Sequence, residues 1–473
     1  MDRWWLAEGD SALVLPALEF AVDALVTDPP AGIGLMGRGW DSDRGGRDKW
    51  IAWLEGIMRE CWRLMRPGAH GLVWALPRTS HWTAFALENA GFEIRDVVVH
   101  HFGSGFPKSL SVSKAIDAAL GSDREPDEYW PNNKNAVYGS GMGGGRTLRR
   151  GTPVAAAAAA AAGFGTALKP AAEHWILVRR PLIGPVAANV LAHGTGGLNV
   201  DGCRVAFGGS ADEAETKAKN AHGAMSSGPR VGSIYGEMRR DRDDYDASGR
   251  WPPNIVITHD ARCTEAACHH ECPALELDRQ SGDRPGMSGG GTHRDGYAGG
   301  MFGGIDSAAT ARGDTGGASR FFPRFRYVAK PSGEERDIGL WDIEPAQWTD
   351  GRTAEHDTPR LRAGKMRRNH HPTVKPIELM RWLVRLITPP ARDGFAPIVL
   401  DPFSGSGTTG CAAMLEGARF AGIEMESASA EVARRRIAVA AGERVDRKPL
   451  GGAAVVVPSA QQSLFAAADG GAP

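Results

Sequence analysis

An excess of charge of one sign is what this sequence most clearly lacks. Its 473 residues carry 55 Lys and Arg against 56 Asp and Glu, a formal net charge of −1. That balance excludes a uniformly basic coat for nucleic acid, while leaving local patches open. Cysteine is scarce as well: six in the whole chain, too few for a disulfide scaffold at this length. No uninterrupted apolar run approaches the ~20 residues that cross a bilayer. The opening "MDRWWLAEGD" has neither an apolar h-region nor a cleavage site. These absences point to a protein of a reducing cytoplasm with no membrane partner.

What is present falls into three zones. Residues 1–117 alternate strand-like runs ("VDALVTD", "HGLVWAL", "IRDVVVH") with amphipathic stretches ("WIAWLEGIMRECWRLM", "WTAFALENAG"). That alternation predicts β-α-β units around a mostly parallel sheet. Residues 118–350 are rich in Gly, Pro, Ser and Arg and hold no sustained period, which reads as a large irregular insertion that is partly mobile. The alternation returns over residues 351–442, in "IELMRWLVRLI", "APIVLDPF", "TTGCAAMLEG", "RFAGIEM" and "SAEVARRRIAVAAG", and residues 443–473 read as a loose tail. Neither α/β zone is convincing alone, so the two are expected to be halves of one α/β sheet. The alanines from Ala155 to Ala162 read as a spacer or a short helix.

Two segments carry chemistry. In "VLDPFSGSGTTG", residues 399–410, a buried strand ends at Asp401 and runs into Gly405, Gly407 and Gly410 before a helix. Glycines there permit positive φ and close approach of a ligand to the backbone. Glu424 then ends the next strand, where an acid suits the hydroxyls of a ribose. No Gly-Lys-Ser/Thr follows, so a P-loop is excluded. The whole arrangement points to a cofactor containing adenosine. In "LVTDPPAGIG", residues 25–34, Asp28 ends a strand and Pro29 and Pro30 remove two N–H donors. Acceptors without donors suit an exocyclic amine, drawing its nitrogen towards tetrahedral geometry. The same segment also fits a plain proline-terminated strand.

The order "TDPP" first, then "HPTVKP", "LDPFSGSGTTG" and "GIEM", resembles the permuted (β-type) amino-methylating DNA methyltransferases, phage and prophage members in particular. "GSGFPKSLSVSKAID" and "GTALKPAAEHWILVRRPL" are similar to the same group. The resemblance implies a Rossmann-like methyltransferase fold, S-adenosylmethionine, and a base flipped out of double-stranded DNA. By that resemblance Asp28, Pro29 and Pro30 hold the target amine, and Asp401, Phe403, Gly405 and Gly407 line the methionine end. Glu424 takes the ribose. Thr373, Lys375 and Pro376 lie beside the cofactor, and Asp10 lies near its adenine or the amine pocket, with a helix N-cap as the alternative for Asp10. The group often dimerises, which makes a homodimer the matching expectation, and several of its members work in restriction-modification.

One residue departs from the pattern. The family places an aromatic after the second proline to stack on the flipped base, and here Ala31 stands. Base stacking contributes about 1–3 kcal/mol, so activity is expected to be weakened or lost while cofactor binding survives. A deliberately silenced site is the favoured explanation; another aromatic such as Trp40 or Phe106 stacking instead, or a natural weakened copy, are the others. Adenine N6 and cytosine N4 fit the same acceptors, and Asp before Pro-Pro goes mostly with adenine in the resembling group. A catalytically dead DNA- and cofactor-binding protein and a protein-glutamine methyltransferase stay open as alternatives. Finally, "THDARCTEAACHHECPALELD" brings Cys263, Cys268 and Cys272 close to His259, His269 and His270. Structural zinc on the three cysteines and His269 is the expectation, with free thiols the alternative. Arginines of the middle zone (Arg146, Arg320, Arg324) and of "PRLRAGKMRRNHHP" (Arg360, Arg362, Lys365, Arg367, Arg368) are expected phosphate contacts.

Overall fold

The computed structural model describes residues 3–34, 39–103, 109–122, 124, 152–207, 213–214, 248–260, 263, 267–270, 272–282, 284–287, 311–325, 336–340, 343–347, 366–371 and 373–443. They divide into two compact units, residues 104–171 and the remainder.

The larger unit is built on a nine-stranded sheet. Its strands are β1 (Trp4–Glu8), β2 (Val22–Thr27), β3 (Met65–Ala75), β4 (Glu93–His101), β5 (Ala172–Arg179), β6 (Ile255–Thr258), β7 (Arg324–Phe325), β8 (Ile398–Asp401) and β9 (Arg419–Glu424). The spatial order is β1-β9-β8-β2-β3-β5-β4-β6-β7. Only β5 runs against its neighbours, pairing antiparallel with β3 and β4, and every other pairing is parallel. Strands from the first and last parts of the sequence meet at one edge of this sheet: β1, the edge strand, lies beside β9, and β8 lies between β9 and β2. This is the mostly parallel, Rossmann-like α/β fold expected of the two zones taken together.

Alternation along the strands sorts their side chains into two apolar layers. On one face Leu25, Val73, Ile398, Leu400 and Ile423 pack against α2 (Arg47–Leu64) and α3 (Ser80–Asn89). On the other, Ala24, Val26, Leu72, Val399 and Phe420 pack against α8 (Ile377–Ile387), α9 (Thr408–Leu415) and α10 (Ser427–Ala440). Helix α8 stops where Thr388 turns extended before Pro389 and Pro390, which cannot continue the i→i−4 ladder. Past the end of α9, Gly417 takes φ +76° and lets the chain turn into β9. The short α1 (Ser11–Val14) and α6 (Val186–His193) complete the layers relevant here.

Two observations go past the sequence reading. β1, from "WWLAE", is a strand with no counterpart among the runs singled out. The zone read as an insertion supplies β5, β6 and β7 to this same sheet, because the apolar "HWILVR" and "IVIT" bury in it. In the smaller unit, α4 (Val112–Ala119) meets α5 (Ala156–Ala160) through the Ser113 hydroxyl, which donates to Ala158 O at 2.6 Å. The polyalanine stretch therefore does form a short helix.

Asp23 joins the two distant halves of the sheet. One carboxylate oxygen accepts from the Ile398 amide at the start of β8 (2.7 Å), the other from Arg66 Nε on β3 (3.0 Å). Removing it takes the acceptor from the buried Ile398 amide and one acceptor from Arg66. Asp23→Ala is expected to lower the unfolding free energy by about 1–3 kcal/mol, read from urea unfolding; an unchanged midpoint would contradict the junction's role.

Candidate active site at the carboxyl ends of the sheet

In parallel sheets the carboxyl ends of the strands open onto the crevice where ligands bind. Here β2 and β8 are neighbours, with Leu25 opposite Leu400, so Thr27-Asp28 and Asp401 emerge side by side. The Thr27 hydroxyl donates to Asp401 Oδ1 at 2.7 Å, and the Phe403 amide donates to the same oxygen at 3.0 Å. Asp401 is 2% exposed. Burial pushes its carboxyl up to about 6 against the pull of these donors and of Thr409.

The glycine turn beyond Asp401 is held in a form that side chains resist. Gly405 has φ +53° and Gly407 φ +77°. A Cβ on Gly405 would come within 2.9 Å of the His371 ring, and one on Gly407 within 2.9 Å of the Ala433 backbone. The turn is fastened from below by Arg436 of α10, which donates to Ser406 O (2.6 Å), Ser406 Oγ (3.0 Å) and Thr408 Oγ1 (3.1 Å). Glu424, at the end of β9, accepts from the Gly405 amide (2.7 Å) on one oxygen and from the Glu426 amide (2.8 Å) on the other. Burial raises its carboxyl to about 7, in spite of those two amides. Its remaining lone pairs are therefore fixed in direction. Phe403 packs its ring on Trp53 (5.7 Å between centroids), and the Arg44 guanidinium lies over the Trp53 ring at 3.9 Å.

On the amine side, Lys375 Nζ lies 3.0 Å from Asp28 Oδ2 and 4.0 Å from Glu173 Oε2, over the Trp74 ring at 4.1 Å. Burial pushes Asp28 up to about 6, the nearby ammonium opposing. Burial would also raise Glu173, but Lys375 and His100 outweigh it and bring that carboxyl down to about 2. Between the two acids Lys375 keeps its proton above the ordinary lysine range, although burial works the other way. Asp28 retains 21% of its side-chain surface, a window through which a planar amine can reach it. Behind Glu173, His100 Nδ1 stands 3.6 Å away and its Nε2 3.3 Å from Thr258 Oγ1. A polar row thus crosses β2, β3, β5, β4 and β6.

The residues singled out in the sequence fall as follows. Asp28 and Asp401 share the crevice, with Pro29 and Pro30 directly after Asp28 and Ala31 partly exposed, its carbonyl 3.4 Å from Thr79 Oγ1. Gly32 cannot carry a side chain: its φ is +69° and a Cβ would strike the Trp50 ring at 2.6 Å. Lys375 stands beside Asp28. Thr373 bonds through its amide to His371 Nδ1 (3.4 Å), and Pro376 caps α8. Asp10 is the N-cap of α1, accepting from the Ala12 amide at 2.9 Å. Trp40 is partly buried beside Asp41, whose carboxylate accepts from the Gly32 amide at 3.0 Å. Phe106, Arg146, Arg360, Arg362 and Lys365 lie outside the described residues. Arg320 and Arg324 bond to Gly317 O (2.8 Å) and Ser319 Oγ (3.2 Å). For the cysteines one correction applies: His259, not His269, joins Cys263, Cys268 and Cys272. His269 stacks on His270 and brings its backbone amide to Cys263 Sγ, whereas His259 Nδ1 lies 3.3 Å from Cys268 Sγ and 3.4 Å from Cys272 Sγ. Glu173, Trp74 and His100 carried no sequence signal, since each lies on a different strand.

Residues 322–435 match a family model described as DNA methylase. The matched residues contain "HPTVKP", "LDPFSGSGTTG" and "GIEM", three of the four motifs that carry the resemblance. The chain is 41% identical over 84 residues to DNA adenine methyltransferase YhdJ of Escherichia coli (strain K12), covering 18% of this chain and 27% of that protein. Over 67 residues it is 43% identical to type II methyltransferase M2.DpnII of Streptococcus pneumoniae, 14% of this chain and 23% of that one. The match therefore spans about a quarter of the length of these curated relatives. Among solved structures, the cytosine-N4-specific PvuII DNA methyltransferase aligns over 92% of this chain and 86% of its own, at 11% identity and a TM-score of 0.38.

Gly407 meets backbone where Gly405 meets a side chain. Gly407→Ala is expected to cost more stability than Gly405→Ala, each within about 1–3 kcal/mol, in thermal unfolding of the purified chain. The reverse order would mean that the turn is not held from α10.

Proposed function

We propose that this chain methylates an exocyclic amine of a base in duplex DNA, adenine N6 in preference to cytosine N4, with S-adenosylmethionine as donor. What carries the reading is the junction of β2 and β8. A carboxylate followed by two donor-less residues stands beside a buried acid and a glycine turn, joined by the Thr27–Asp401 hydrogen bond of 2.7 Å. A second reading, cytosine N4, uses the same acceptors; the matched adenine methyltransferase favours adenine.

The donor set fits the cofactor. Glu424, oriented by two amides, is suited to ribose hydroxyls. Gly405 and Gly407, at positive φ, let the turn close against His371 and Ala433 beside Glu424, and Asp401 and Phe403 border the methionine end. When bound, the cofactor supplies a methyl group on a positively charged sulfur. The protein's own part is to present the amine. The Asp28 carboxylate and the Pro29 carbonyl accept its two hydrogens, since no N–H of Pro29 or Pro30 competes. Accepting both hydrogens withdraws the nitrogen lone pair from the ring and aims it outward. Asp28, raised to about 6, then takes the proton that the alkylated amine sheds. Lys375 positions Asp28 and keeps it ionised. Ala31 leaves the base without a stacking partner at that position, which lowers retention of the flipped base.

Tritiated-methyl transfer to unmethylated duplex DNA, with nucleoside analysis, tests the reading. Ala31→Tyr is expected to raise N6-methyladenine formation at least about tenfold, in line with the stacking energy. Label on N4-methylcytosine would move the assignment to the other base, and no label from either form would leave a binding protein.

The sign of the pH dependence follows from Asp28. Its carboxyl is raised from 3.8 to about 6, so the acceptor is lost by protonation as pH falls through about 6. The kcat/KM for DNA is expected to drop below that pH with cofactor saturating. In Lys375→Met the loss should begin at higher pH, because the ammonium no longer opposes protonation. An acid limb unmoved in that variant would exclude Asp28 as the titrating group.

A further inference from the structure

Outside this crevice lies a cluster of soft donors. His259 follows the last residue of β6, its amide donating to Phe325 O of β7 at 2.8 Å. Its Nδ1 lies 3.3 Å from Cys268 Sγ and 3.4 Å from Cys272 Sγ. With Cys263 Sγ, the four donor atoms all fall within 4.8 Å of one another. A zinc ion with Zn–S of ~2.3 Å and Zn–N of ~2.0 Å separates its tetrahedral donors by roughly 3.5–3.8 Å, so only small side-chain shifts are needed.

Four further observations bear on what the cluster holds. None of the cysteines is in a disulfide. The His269 amide donates to Cys263 Sγ at 3.2 Å, a contact that suits a thiolate held by a metal. Among the described residues, Cys263 and Cys272 are two of the four buried members of the local apolar cluster, with Ile257 and Ala274, and Ile255, Leu277 and Phe322 pack against it partly buried; so small a core gains from a staple. Among the described residues no carboxylate belongs to the group, which disfavours calcium and magnesium.

We propose that His259, Cys263, Cys268 and Cys272 bind one zinc ion in a closed, structural site. The ion fastens the end of β6 to the start of α7 (Pro273–Ser281), whose N-cap is Cys272. Its reach extends further, because Asp278 of α7 accepts from both the amide and the hydroxyl of Ser319, each at 2.7 Å. The segment leading through Arg320 to Arg324 and β7 is thereby anchored to the metal module. With all four positions taken by protein, the ion has no place for a reacting water.

The test uses the full chain expressed with zinc, and separately with cobalt, in the medium. Elemental analysis is expected to return one zinc per chain, and the cobalt form to show the thiolate-to-metal charge-transfer and tetrahedral ligand-field bands. His259→Ala and Cys268→Ser should lose the metal, whereas His269→Ala should keep it. Wild-type chain without stoichiometric zinc, its thiols titrating freely in the folded protein, would overturn the proposal. So would metal retained by His259→Ala and lost by His269→Ala. Because the wild-type stoichiometry is itself decisive, variants that fail to fold do not blunt the test, and its outcome does not depend on the methyl-transfer reading.

Discussion

One constraint governs this molecule: two parallel strands from opposite ends of the chain must lie side by side. Asp23 fastens their beginnings through the Ile398 amide, and the Thr27 hydroxyl fastens their ends through Asp401. Everything the crevice can do follows from that pairing. The acceptor pair after β2 and the glycine turn after β8 are separated in sequence by most of the chain, yet neighbouring strands sit only ~4.8 Å apart.

The electrostatics at the mouth follow from the same burial. Asp28, Asp401 and Glu424 are all pushed towards neutrality by loss of water, and the Lys375 ammonium is shared between Asp28 and Glu173. Three acids poised near neutral pH make a site that gains from a ligand bringing positive charge and hydroxyl donors. The polar row through Glu173, His100 and Thr258 extends this field towards β6, the strand that the cysteine cluster adjoins.

Much of the crevice was legible because each apolar run stops at an acid followed by residues that cannot extend the strand. Pro29 and Pro30 after Asp28, and Pro402 with the glycines after Asp401, mark both ends in the letters themselves. Helix α8 coincides with "IELMRWLVRLI" for the same reason: an apolar stripe bounded by prolines. β1 escaped notice because five residues are too few to show a period, and its partner β9 lies at the far end of the chain. Glu173, Trp74 and His100 could not be read, since only strand order brings them to Lys375. Nearness in sequence to Cys268 favours His269, whereas it is β6, the strand that His259 follows, that brings the His259 Nδ1 against Cys268 and Cys272.

The central claim is that the amine acceptors and the adenosyl site share one mouth. It is tested most directly by a crystal structure of the chain with a non-transferable S-adenosylmethionine analogue and duplex DNA. The account predicts ribose hydroxyls on Glu424, with the sulfonium-equivalent atom facing an extruded base held by Asp28 and the Pro29 carbonyl. An analogue bound elsewhere, or its reactive end walled off from Asp28, would contradict it.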